Sequence, residues 1–198
     1  AIIALLVLLC IILVPVMVLF AQALLAWRPV RGAASVPGPR PSVAVLIPAH
    51  NEEAGLLATL SSLEPQLGAS DRILVVADNC SDATVSVARE AGVEVVEGND
   101  LRLRGKGYAL AYAADHLRSD PPEVFVVMDA DCSTDAASLR ALVGSAAASG
   151  RPSQAINLLR PDRSAAPLVQ LSTFAFMLKN LVRQRGLQRL AGRVHLTG

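Results

Sequence analysis

Charge is absent from the first 26 residues of this 198-residue chain, where Gln22 is the only strongly polar side chain. Such a run cannot form the solvated surface of a globular domain. Cysteine is scarce: Cys10, Cys80 and Cys132 show no C-x-x-C and no Cys/His spacing, which excludes a disulfide framework and a zinc site. Cys80 and Cys132 read as small buried hydrophobes, and a reducing compartment fits. No sign of charge dominates, with 18 Lys+Arg against 17 Asp+Glu, so nucleic acid is not an expected partner. No G-x-G-x-x-G follows the first strand and no G-x-x-x-x-G-K-[ST] occurs, so neither the dinucleotide fingerprint nor the P-loop is available. There is no internal repeat.

Hydrophobic residues are plentiful, at 53% against 18% charged. A bilayer-spanning helix needs about 20 apolar residues, and residues 1–27 read as one transmembrane helix. Pro15 is tolerable there, and Trp27 falls at an interface position. Arg28, Arg31 and Arg40 precede any acid, so the positive-inside rule puts the remainder in the cytoplasm, at the cell (inner) membrane. Ala21-Gln22-Ala23 resembles a signal-peptide cleavage site, but the apolar run continues past it. Residues 28–42, rich in proline and arginine, read as a linker. The chain starts inside an apolar run without Met and stops without a terminating feature, so it reads as a fragment.

From residue 43 strand and helix signals alternate. Apolar β-branched runs at Val43–Ile47, Arg72–Ala77, Val93–Glu97 and Val124–Met128 predict strands covered on both faces. Helices are expected over Glu52–Leu63, with Asn51 as N-cap, from Asp82 to Gly92 with Ser81 as cap, and over Lys106–Leu117 with Leu110, Ala113, Ala114 and Leu117 on one face. Thr134 or Ser133 caps a helix running to about Gly150, with Asp135 in its first turn. A weak strand near Ala155–Leu159 and an amphipathic helix from about Ala166 to Leu190 come next. That helix reads as a core helix with a solvated basic end or as one resting on an anionic membrane surface. The pattern is α/β, a mostly parallel, doubly wound sheet with helices on both faces.

In such sheets ligands lie beyond the carboxyl ends of the strands. Polar residues succeed each strand here: Pro48 to Glu53, Asp78 to Asp82, Arg102 to Gly107, and Asp129-Ala130-Asp131. Two carboxylates two residues apart at a strand end can turn toward one magnesium or manganese ion, or serve a helix cap. Asp78 can accept from a nucleobase or ribose, or form an Asx-turn. His50 lacks a partner at metal-ligand spacing and reads as structural. Arg102, Arg104 and Lys106 place positive charge near a helix N-terminus, where anions are favoured, or form a solvated loop.

Taken in order, V-L-I-P-A-H-N-E-E (45–53), A-D-N-C-S-D-A-T (77–84), R-G-K-G-Y-A-L (104–110) and D-A-D-C (129–132) resemble the family-2 glycosyltransferases with a GT-A fold, over about residues 43–159. The resemblance implies a glycosyltransferase domain over 43–198, truncated on its C-terminal side. It implies that Pro48, Ala49 and Glu52 line a nucleoside pocket, that Asp78 contacts the base, usually uracil, and that Lys106 lies near the nucleotide. Asp129 and Asp131 form the D-x-D pair that engages a divalent metal bridging the donor diphosphate. The implied reaction moves a sugar from a nucleotide-diphosphate donor, a UDP-sugar, to a lipid-linked or polysaccharide acceptor by inverting displacement. The catalytic base is expected beyond Gly198, with Asp135 and Asp162 the nearby candidates within the chain. Competing readings are a nucleotidyltransferase, disfavoured because P-A-H-N-E-E is not a Gly-rich basic loop, and a membrane-tethered binding module without catalysis.

Overall fold

The computed structural model describes residues 2–27, 40–160, 164–192 and 194–195. They fall into two compact units, Ala33–Ser153 on one side and Ala1–Gly32 with Gln154–Gly198 on the other. Most of the expected Pro/Arg linker, and Asp162, lie outside the described residues.

The first unit is built on a four-stranded parallel sheet in the order β3-β2-β1-β4. Its strands are β1 (Val43–Ala49), β2 (Arg72–Asp78), β3 (Glu94–Gly98) and β4 (Val124–Val127). The helices are α2 (Leu56–Leu63), α3 (Thr84–Glu90), α4 (Lys106–His116) and α5 (Ala136–Ser149), with α1 assigned to the other unit. Because side chains alternate across a strand, β1 feeds two cores. Val43, Val45 and Ile47 pack with Leu56, Leu60 and Leu63 of α2, Ala88 of α3, and Leu139 and Val143 of α5. Ala44 and Leu46 pack with Ala109, Ala113 and Leu117 beneath α4. That is why β1 and β2 read as unbroken apolar runs.

β4 departs from that expectation. It is an edge strand, and Phe125 and Val127 are 48% and 46% exposed. Pro48 sits inside β1 without breaking the sheet. The pairing with β4 ends at Leu46, so the missing N–H at Pro48 falls beyond the last rung on that side. On the helix facing Ala44 and Leu46, Ala109 takes the buried place expected of Ala114, which is exposed.

Several helix starts differ from the expectation. The first helix begins at Leu56 rather than Glu52, and Asn51 is not its cap: Asn51 adopts φ 56°, a conformation Asn tolerates. The backbone N–H groups of Glu52 and Glu53 are instead given to Thr84 and Asp82. Ser81 caps nothing, since α3 starts at Thr84. Asp135, not Ser133 or Thr134, caps α5, its Oδ1 accepting from the N–H groups of Ala137 and Ser138 at 3.0 and 2.8 Å. A carboxylate makes the stronger, charge-assisted cap. Residues 155–159 form no strand, because no partner strand pairs with them among the described residues.

The second unit holds α1 (Ile2–Ala26), whose side chains are exposed along most of its length. It also holds a helical run made of α6 (Pro167–Met177), a π-helical stretch (Leu178–Arg183) and α7 (Gln184–Ala191). Gly186 lies against α1 so closely that a methyl group there would collide with the Gln22 backbone. Arg189 Nη1 donates to the Leu25 carbonyl at 2.6 Å, satisfying one of the orphan acceptors at the end of α1. The reading of α6 as a core helix does not hold among the described residues: Leu168, Leu171 and Phe174 are 73%, 62% and 53% exposed.

Candidate functional site

The order β3-β2-β1-β4 contains a topological switch. The chain steps outward from β1 to β2 to β3, then returns to the opposite side of β1 for β4. At such a point the loops after neighbouring strands diverge and leave a crevice. A cavity of about 510 Å³ opens there, and its lining includes Pro48, Ala49, Glu52, Asp78, Lys106, Asp129 and Asp131. Every residue that the resemblance implies for nucleotide, sugar or metal therefore reaches one space, whereas Arg102 of the basic loop is not in its lining. His50, Arg104, Gly105, Ala109 and Ala130 complete the lining.

Asp78, at the end of β2, is 7% exposed. Its Oδ1 accepts from Asn79 Nδ2 at 2.6 Å and its Oδ2 from the Gly105 N–H at 2.7 Å. Asp78 thus ties the end of β2 to the loop before α4. Gly105 holds φ 106°, ψ 165° at the N-cap of α4, a conformation essentially reserved for glycine. Next to it, Lys106 Nζ bonds Asp129 Oδ1 at 2.6 Å, with both side chains about two-fifths exposed. The D-x-D loop is fixed from below, where the buried Thr59 hydroxyl donates to the Ala130 carbonyl at 2.6 Å.

His50, expected to be structural, faces the cavity. Its Nδ1 lies 2.6 Å from the Asp78 carbonyl oxygen, so Nδ1 carries the hydrogen. The cysteines are less buried than the small core hydrophobes expected of them. Both are half-buried, with Cys80 Sγ donating to the Ala49 carbonyl and Cys132 Sγ to Asp131 Oδ1. Burial, and then the charges of Asp131 and Asp129, push the Cys132 thiol up and keep it protonated.

Sequence reasoning missed how N-E-E and N-C-S-D lock together. Asn51 Oδ1 accepts from the Ser81 N–H at 2.7 Å, and Glu53 Oε2 from the Ala83 N–H at 2.7 Å. In the other direction, the Glu52 N–H donates to Thr84 Oγ1 at 2.8 Å and the Glu53 N–H to Asp82 Oδ2 at 3.1 Å. Desolvation would raise the Asp82 carboxyl, but hydrogen bonds from Thr84 and the Glu53 N–H hold it below its usual range. The signal for this clamp was the density of short polar side chains in both loops, which single-loop capping rules had absorbed.

Asp135, a candidate base in the sequence, is engaged as a helix cap and is not in the cavity lining. Hydrogen bonds from Ser138 hold its carboxyl low, and both oxygens are engaged in capping α5.

A parallel α/β sheet with carboxylates, a basic loop and a helix N-terminus around its switch-point crevice has its polar groups where such sheets take ligands. The family model described as "Glycosyl transferase family 2" matches residues 44–181, and the chain belongs to that family. It is 38% identical over 96 residues to 4,4'-diaponeurosporenoate glycosyltransferase of Staphylococcus haemolyticus, covering 46% of this chain and 24% of that protein. It is 34% identical over 98 residues to the low-salt glycan biosynthesis hexosyltransferase Agl6 of Haloferax volcanii, covering 48% and 22%. The chain thus matches about a quarter of the length of these relatives. Among solved structures, a mannosyltransferase from Pyrobaculum calidifontis in complex with GDP-Man and Mn2+ aligns with a TM-score of 0.57 at 20% identity, over 89% of this chain and 54% of that one. This establishes the GT-A fold. Family membership sets the nucleotidyltransferase reading aside.

Proposed function

We propose that the crevice is the donor site of a glycosyltransferase that takes a UDP-sugar and passes the sugar to a lipid-linked or glycan acceptor. The observation that carries this reading is the convergence of the strand-end residues on one cavity at the switch point. Pro48, Ala49 and Glu52 line the nucleoside side. Asp78 accepts from the base with lone pairs left over after its bonds to Asn79 and Gly105, since a carboxylate offers about four acceptor positions. Lys106 and the N-terminus of α4 face the diphosphate.

Among the described residues no three His, Cys, Asp or Glu side chains converge to form a protein-only metal cage. Asp129 and Asp131, beside an anion-favouring loop, fit instead a divalent cation held jointly by carboxylates and phosphate oxygens. The P. calidifontis neighbour was solved with GDP-Man and Mn2+, which fits a divalent ion beside a nucleotide sugar. When bound, manganese or magnesium would neutralise charge on the departing diphosphate.

Calorimetry tests this reading. UDP should bind more tightly with manganese than with EDTA, Asp131→Asn should abolish most of that difference, and Asp78→Ala should weaken uridine with or without metal. Equal UDP affinity of wild type and Asp131→Asn in manganese would remove the metal assignment. Tighter binding of GDP than of UDP would overturn the choice of nucleotide.

The 25-residue helix α1 is long and apolar enough to span a bilayer. With arginines following it, the sheet unit belongs on the cytoplasmic side of the membrane. Digestion of that unit by protease added to sealed inside-out vesicles is the expected result, and its protection would reverse the topology.

A further inference from the structure

The ion pair between Lys106 and Asp129 is the feature of the site that a simple donor pocket does not explain. Lys106 Nζ lies 2.6 Å from Asp129 Oδ1, so the ammonium rests on one of the two cavity-lining carboxylates that would hold a divalent ion. An ammonium and a metal ion at one carboxylate repel each other, so each weakens the hold of the other on Asp129. We propose that Lys106 is a placeholder cation: it occupies Asp129 in the ligand-free protein and moves to the donor diphosphate when metal and nucleotide bind. This deepens the donor-site reading and rests on it.

Three observations favour an exchange over a fixed pair. Both partners are about 40% exposed, so water screens the bond and it yields readily. The backbone beneath Lys106 is held, because the Gly105 N–H is bonded to Asp78 at 2.7 Å. Lys106 is the first residue of α4, so its four-carbon stem can swing while the helix N-terminus stays beside the cavity. The exchange therefore needs only a side-chain rotation. It also conserves charge at each stage: the carboxylate always faces a cation, and the incoming diphosphate meets an ammonium released from its previous partner.

The inference makes two effects of one substitution opposite in sign. Lys106→Met removes the competitor, so Mn2+ alone, titrated against the whole chain and followed by the electron paramagnetic resonance signal of free Mn2+, should bind about two- to fivefold more tightly. The same variant should bind UDP in saturating manganese about tenfold more weakly, having lost a charge-assisted bond to phosphate. Arg140→Met is the control, since Arg140 is an exposed cation on α5 outside the cavity lining. It should leave affinity for Mn2+ alone within about 1.5-fold of wild type. Unchanged or weaker Mn2+ binding by Lys106→Met overturns the proposal, and equal tightening by Arg140→Met reduces it to a general charge effect. Mn2+ binding insensitive to both Asp129→Asn and Asp131→Asn would show that the donor-site reading itself fails, a result distinguishable from either of these.

Discussion

Two residues given no site role in the sequence hold the site in shape: Thr59, outside the recognised motifs, and Gly105, within one. Thr59 is 1% exposed and its hydroxyl reaches the Ala130 carbonyl between the two acids of the D-x-D pair. Thr59→Val keeps the volume but leaves that carbonyl without its donor, a loss of about 1–3 kcal/mol. A urea titration should show it, and the manganese dependence of UDP binding should shrink with it, since Asp129 and Asp131 flank the freed carbonyl. Gly105 is the second. A methyl group there would meet nothing within 4 Å, so the cost of Gly105→Ala is conformational and not steric. At φ 106° it should be about 1–3 kcal/mol. A midpoint shift below a tenth of that size would mean the loop relaxes to another conformation. Neither role was legible in the sequence. Thr59 looked like one more helical residue, and the basic residues around Gly105 drew attention to anion binding before backbone strain. The chemistry-bearing residues were legible, because each comes directly after a strand and family-specific order removed the ambiguity of a lone D-x-D.

At the scale of elements, strand cores were readable and helix starts were not. Apolar runs announced β1 and β2 because both faces of each are covered. β4 had an equally apolar run yet lies at an edge, since periodicity does not report how many neighbours a strand has. The first two helix starts shifted toward the C-terminus because the polar residues expected to cap them bind the neighbouring loop. On the outer side of the sheet, Glu94 of β3 accepts from Arg72 of β2 at 2.7 and 2.8 Å. The hydrogen bonds from Arg72 hold the Glu94 carboxyl below its usual range against a smaller opposing effect of burial. A depressed carboxylate contributes its stabilisation in full above its unfolded value of about 4.3 and loses it as pH falls through the folded value. Asp82 and Asp135, also depressed, act in the same direction. Stability should therefore be level near neutrality and fall below about pH 4. Because Glu94 is 39% exposed, its share is screened to about 0.2–1 kcal/mol. Glu94→Gln should flatten the acid limb of a plot of urea midpoint against pH by that amount, and an unchanged limb would show that the pair contributes nothing.

At the scale of the whole molecule, strand order was the missing information. Four polar strand ends suggested one edge, but only the return of β4 to the far side of β1 puts Asp129 and Asp131 across a crevice from Pro48 and Ala49. Helix α1 was legible from composition alone, because an uncharged apolar run of 25 residues is long enough to cross a bilayer. Its contact with α7 was not, since Gly186 carries no pattern until its neighbour is known. Gly186→Leu should force α1 and α7 apart at a cost of about 1–3 kcal/mol. Cysteines placed one on each side of that contact should then cross-link less readily than in the parent chain.

The π-helical stretch at Leu178–Arg183 sets the rotational phase of α7. A π turn accommodates one residue more than an α turn, which amounts to an insertion of about 100° around the helix axis. Residues before Leu178 and after Arg183 therefore belong to two offset wheels, and a single helical wheel drawn through 167–191 misplaces one half or the other. Deleting one residue within 178–183 would restore plain α-helix at no loss of helical propensity, yet it would turn Gly186 away from Gln22 and bring a side chain with a Cβ round to face it. In this segment length is a specificity determinant: the extra residue, and not any one side chain, decides which surface of α7 meets α1.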